Sequence, residues 1–227
     1  MPTHPRYASA LDVLLNSMYA SGVDFEDVLV VVGDCGADKD SVNEFRMRSG
    51  VRHVTVPNNL FEYNAHLGVV KAVADGIFCR TDEFAILHDT CVVGPNFVRK
   101  CEELRDWSAS QIVWASDRGN FNLGIYRYEA VEAAANLLGP IMVMDKHFAI
   151  EMEHNFNHMS LKRLRVSQSF FPHEVGGGIV AKCEFYRGGG MRDVAYIPSM
   201  DLYKVFLWVP HGSHHPNKAA AGGIILA

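Results

Sequence analysis

The chain has 227 residues, 48% of them hydrophobic and 21% charged, at a mean hydropathy of +0.01, which is enough apolar material for a sizeable core in one α/β domain. A formal charge of -5 and a pI near 6.1 argue against a broad nucleic-acid surface and for a small-molecule partner. Five cysteines without a Cys-x-x-Cys pair, no signal-peptide pattern and no apolar run of membrane-spanning length predict reduced thiols and a cytoplasmic protein.

From Tyr7 to Met18, the apolar residues Leu11, Leu14, Leu15 and Met18 fall at helical spacing, and Ser21-Gly22 closes the segment. Val28 to Val32 is a continuous apolar run of the kind buried on both faces of a parallel sheet, and it ends in Gly33-Asp34-Cys35-Gly36. Asp40 to Arg48 reads as a polar helix and Val51 to Val56 as the next strand, before Pro57-Asn58-Asn59. A further helix is predicted from Glu62 to Ile77, with Ala65, Val69, Ala72 and Val73 along one face.

The stretch Asp82 to Val98 carries the clearest signal. Phe84 to Leu87 is a short apolar strand, Asp89 sits at its tip, Gly94-Pro95 is a turn, and Phe97, Val98, Cys101 and Leu104 return to helical spacing. An acid at a strand tip is well placed to hold a cation, although Asp also ends strands and caps turns on its own account.

Farther along, Gln111 to Ala115 and Leu123 to Tyr126 read as strands, and Glu129 to Leu138 and Asp145 to His154 as helices. Ile179 to Phe185 and Val194 to Ile197 are strands beside the triplets Gly176-Gly177-Gly178 and Gly188-Gly189-Gly190. Strand-helix alternation predicts a mostly parallel central sheet flanked by helices. Ligands of such sheets lie beyond the carboxyl ends of the strands, where Asp34 and Asp89 fall. The whole of 1–227 is expected to be one domain, regular to about residue 110 and less regular over 111–227.

Pro2-Thr3-His4-Pro5-Arg6, Val30-Val31-Val32-Gly33-Asp34, Asn58-Asn59, and Leu87-His88-Asp89-Thr90 through Pro95-Asn96-Phe97 stand in an order that resembles the GT-A glycosyltransferases, family 2-like nucleotide-sugar transferases. The resemblance covers roughly residues 1 to 130. It implies a Rossmann-like GT-A sheet and transfer of a sugar from a UDP- or GDP-sugar donor to the hydroxyl of a glycan or other acceptor. The half up to about residue 110 would bind the nucleotide sugar, and the rest the acceptor.

By the same resemblance, Thr3, His4, Arg6, Asp34, Asn59 and Asp89 contact the donor. Asp89 matches the last acid of the family's Asp-x-Asp motif and would also meet a Mn²⁺ or Mg²⁺ ion, whereas the first acid is replaced by Leu87. The metal must then lean on donor phosphates and on a ligand from elsewhere, for which His211 is the first choice. Asp145 matches the acceptor-side acid, the base of an inverting transfer, with Glu151 and Glu153 in reserve; it is also an ordinary helix N-cap residue.

The chemistry asks for such groups independently. Breaking a sugar-phosphate bond releases a dianionic diphosphate that a metal or cationic side chains must stabilise, and the acceptor hydroxyl must lose its proton to a base. Arg187, Arg192 and Lys204 are candidates to meet phosphate, with ordinary surface charge expected of at least two of them.

Three other readings compete. A nucleotidyltransferase shares the sheet but commonly uses a Gly- and Lys-rich first loop, which Pro2 to Arg6 lacks. A noncatalytic nucleotide-sugar or glycan-binding module is the second. A zinc hydrolase built on His154 and His158, four apart on one helical face, is the third.

GT-A domains open with an apolar strand that leads into the Pro-Thr loop, and here the loop starts at Pro2. The apolar tail Gly223 to Ala227 is expected to fill that first-strand slot in a permuted arrangement, with the termini close together.

Overall fold

The computed structural model describes residues 2–3, 8–33, 51–106, 110–115, 123–145, 148–149, 163–170, 179–184 and 191–205. Strand β1 is Pro2–Thr3, helix α1 Ala8–Ala20, strand β2 Leu29–Gly33 and strand β3 Arg52–Val56. β2 lies between β1 and β3 and runs parallel to both, with Thr3 opposite Val32 and Gly33 opposite Val56.

All five β2 residues are buried, because helices cover both faces. Val28, Val30 and Val32 join Leu11, Leu14, Leu15 and Met18 of α1 in one core cluster. Leu29 and Val31 face the other way, toward Ala65, Val69 and Ala72 of helix α2, Asn64–Ala74. The two-residue period of the strand thus divides one apolar run between two cores. At Gly68 the α2 backbone comes so close to the Val31 methyl groups that a Cβ would collide with them.

A second sheet contains β4 (Glu83–Ile86), β6 (Ile112–Trp114), β7 (Gly124–Arg127) and β8 (Gln168–Phe170), in the order β4-β7-β6-β8. β7 is antiparallel to both β4 and β6, and β6 is parallel to β8, so β7 alone is reversed. The third sheet is antiparallel throughout, with β5 (Cys91–Val93), β11 (Leu202–Val205), β10 (Met191–Ile197) and β9 (Ile179–Glu184) in that order. Helix α3, Phe97–Asp106, follows β5 and buries Phe97 and Leu104 in the α1-side core. Helix α4, Tyr128–Leu138, follows β7.

The protein is therefore mixed α/β, but the expected mostly parallel sheet does not hold among the described strands. Three ladders are parallel and five antiparallel. The reason lies in the connections: β10 reaches β11 through the four-residue turn 198–201, and a turn that short can only reverse the chain, whereas a parallel pair needs a crossover of a dozen residues or more.

Pro2 and Thr3 pair directly with Val31 and Val32, so part of the expected first loop is strand. The predicted helix at 40–48, most of the one at 145–154 and the tail at 223–227 lie outside the described residues.

Candidate functional site

The carboxyl ends of β1, β2 and β3 share one edge, where Thr3, Gly33 and Val56 finish their strands. Asn64, at the start of α2, closes this edge from below: its Oδ1 accepts from the Leu60 N–H at 3.3 Å, and its Nδ2 leaves no room for a side chain at Gly33. Asn58 Nδ2 donates to the carbonyls of Gly139 at 3.3 Å and Ile141 at 2.6 Å. Asn59 continues the clasp through its backbone, its N–H donating to Met142 O at 2.8 Å and its carbonyl accepting from Met144 N at 2.9 Å.

This parallel bridge between Asn59 and Val143 carries Asp145 to the β3 end of the edge. Met144 and Ala149 are buried with Leu60, Tyr63, Ala134 and Leu138, so Asp145 between them is turned outward and is exposed. Its Oδ1 accepts from Phe148 N at 2.8 Å and its carbonyl accepts from Ala149 N at 2.9 Å, the geometry of a helix N-cap.

Asp89 lies in the tight turn from β4 to β5, closed by the Cys91 N–H donating to His88 O at 3.1 Å. It is half-buried, while His88 and Thr90 on either side are buried. Leu87 points into the α1-side core, so the position of the missing motif acid is a packing position. The turn is braced by β11, whose Val205 N–H donates to Thr90 O at 2.9 Å.

Lys204 on β11 stands opposite Cys91 and is buried. Its ammonium lies 2.7 Å from His88 Nδ1 and donates to Thr90 Oγ1. An ammonium has only donors, so Nδ1 accepts and the His88 ring proton sits on Nε2. Burial pushes the Cys91 thiol up, with the Asp89 charge adding to the shift and Lys204 opposing it, so Cys91 is no thiolate nucleophile.

A second brace lies just beyond β5. Asp201, buried in the turn between β10 and β11, accepts from Asn96 N at 2.8 Å and Asn96 Nδ2 at 3.2 Å on one oxygen and from Tyr196 Oη at 2.9 Å on the other. Its carbonyl accepts from Gly94 N at 2.7 Å. The sequence marks 198–201 as a turn through Pro198 and Ser199, but not the reach of its carboxylate back to residues 94–96.

Of the expected site residues, Asn59 and Asp145 come together, Thr3 ends a strand on the same edge, and Asp89 heads its own turn. His4, Arg6, Asp34 and His211 lie outside the described residues, as do Glu151, Glu153, Arg187, His154 and His158. Among the described residues no group of three or more His, Cys, Asp or Glu could hold a metal ion. The Asp89 turn offers one carboxylate, which suits only an ion that keeps water and substrate oxygens in its shell. No described helix is long and apolar enough to cross a membrane. Protein-family models, curated proteins and solved structures give no match to this chain.

Proposed function

We propose that this protein is a GT-A-like glycosyltransferase that moves a sugar from a UDP- or GDP-sugar to a hydroxyl acceptor with inversion. The observation that carries this reading is the Asn59–Val143 bridge, which brings an exposed carboxylate to the carboxyl edge of a parallel sheet.

In this reading the donor's nucleotide lies over the ends of β1 and β2, against Thr3, His4, Arg6 and Asp34, with Asn59 at the β3 end. Asp145 accepts the proton of the acceptor hydroxyl as its oxygen attacks the anomeric carbon; the bond from that carbon to the diphosphate oxygen breaks, and the diphosphate departs with the bonding electrons. Asp89, with His211, would hold Mn²⁺ or Mg²⁺, which when bound neutralises charge on the diphosphate.

A thermal-shift screen of nucleotide sugars with and without Mn²⁺ tests the reading. A metal-dependent rise in Tm that Asp89→Ala abolishes is expected. Asp145→Asn should lower turnover by about 10²- to 10⁴-fold while donor binding stays intact. If no nucleotide sugar shifts Tm and Asp89→Ala changes no ligand response, the assignment fails. The N-cap bond at Asp145 favours one other reading, a noncatalytic nucleotide-sugar-binding module, in which donor binds without turnover and Asp145→Asn costs only stability.

A further inference from the structure

We propose that Lys204 is the fixed cation of the Asp89 turn and forms, with His88 and Thr90, an oxyanion site that takes the diphosphate of the ligand. Lys204 is the one lysine or arginine buried among the described residues. A buried ammonium is costly unless its charge is answered, and its two hydrogen-bond partners, His88 Nδ1 and Thr90 Oγ1, are neutral. No described carboxylate forms an ion pair with it, whereas ion pairs such as Lys71–Asp75, Arg99–Glu103 and Lys182–Asp193 are part-exposed surface contacts. The Cys91 thiol opposite it is held protonated by burial and supplies no negative charge.

The site is built rather than incidental. His88, Thr90 and Lys204 are 7%, 6% and 8% exposed, so all three are nine-tenths buried. Two of the three ammonium hydrogens are spent on neutral groups of the turn, which leaves the third for an anion. The lysine also clasps the residues on both sides of Asp89, so carboxylate and ammonium belong to one rigid turn. An anion meeting Lys204 there and a cation meeting Asp89 would be neighbours, as they are in a metal-bound diphosphate. Naming the anion as the donor's diphosphate rests on the proposed sugar transfer; the oxyanion site itself does not.

Removing the positive charge has a signature that loosening the turn lacks: it weakens anion binding and leaves cation binding equal or stronger. The experiment is calorimetric titration of the full chain with inorganic pyrophosphate in the absence of metal and, separately, with Mn²⁺ alone. Lys204→Gln should weaken pyrophosphate by about tenfold or more, the scale of one hydrogen bond to a charged group, and bind Mn²⁺ no more weakly than the parent. Lys204→Arg should keep most of the pyrophosphate affinity. Should Lys204→Gln fail to fold, Lys204→Met, an apolar side chain of similar length, carries the same test. Three outcomes overturn the proposal: a parent chain that binds no pyrophosphate, a folded Gln or Met variant with unchanged affinity, or a parallel loss of pyrophosphate and Mn²⁺. Nucleotide-sugar turnover that persists alongside any of these would leave the transfer standing and remove only Lys204 from it.

Discussion

His66 shows what burial does to a single titratable side chain. It lies in α2 with its ring edge-on to Tyr126 at 5.4 Å, its Nδ1 has no hydrogen-bond partner among the described residues, and burial lowers its pKa from 6.5 to about 4. The same environment, with Tyr63 beside it, pushes the Tyr126 phenol well above its ordinary value. The folded state therefore keeps His66 neutral while the unfolded chain takes up a proton below pH 6.5. Stability from this residue is complete above that value and drains away as pH falls toward about 4. The loss should reach about 2 kcal/mol by pH 5 and about 3 kcal/mol in full, read as a falling urea midpoint. His66→Phe should flatten that part of the profile, and a parent chain equally stable at pH 7 and pH 4.5 would contradict the account. The sequence offered no hint of this, because a histidine at the start of a helix reads as polar until Tyr126 closes over it.

The contact between α2 and β2 leaves no room for an added methyl group. Gly68 lets the helix rest on the Val31 methyl groups, and the same seating brings Asn64 against Gly33 at the end of the strand. Gly68→Ala should cost about 1–3 kcal/mol by overpacking, measured by urea denaturation. The double variant Gly68→Ala/Val31→Ala should cost less than the sum of the two single changes, since each relieves the other; strict additivity would mean the helix simply shifts away. Elements of this kind were readable beforehand: α1, α2, α4, β2 and β3 all lie where apolar spacing put them, because spacing along one segment is a local property. The short strands β5, β8 and β11 were not. Three or four residues carry no period, and Leu202–Val205 is a strand because it pairs with residues 194–197 on one side and with residues 91–93, more than a hundred positions away, on the other.

At the scale of the molecule, β2 is a wall common to the two largest core clusters, one with α1, Leu87, Cys91 and α3, the other with α2, Ile112, Trp114 and Tyr126. Neither side can lose its packing without exposing the other face of the same strand. A single cooperative unfolding transition is expected, in which labelling of the buried Cys91 thiol and the tryptophan fluorescence change share one urea midpoint. Separate midpoints would show that the two cores melt independently.

The sequence by itself determined the α/β class, the buried identity of Val28 to Val32 and the position of Asp89 in the turn that follows a strand, since each follows from the order of apolar and polar residues along a few positions. Only the tertiary structure decided which strands are parallel, that Leu87 belongs to the core, that Asn59 holds Asp145 at the strand edge, and that Lys204 lies buried beneath the Asp89 turn. Those facts depend on residues from 23 positions apart, in the β2–β3 pair, to 116 apart, at Lys204 and His88, meeting in space, and the energy that makes them meet is the burial of side chains whose partners no local pattern names.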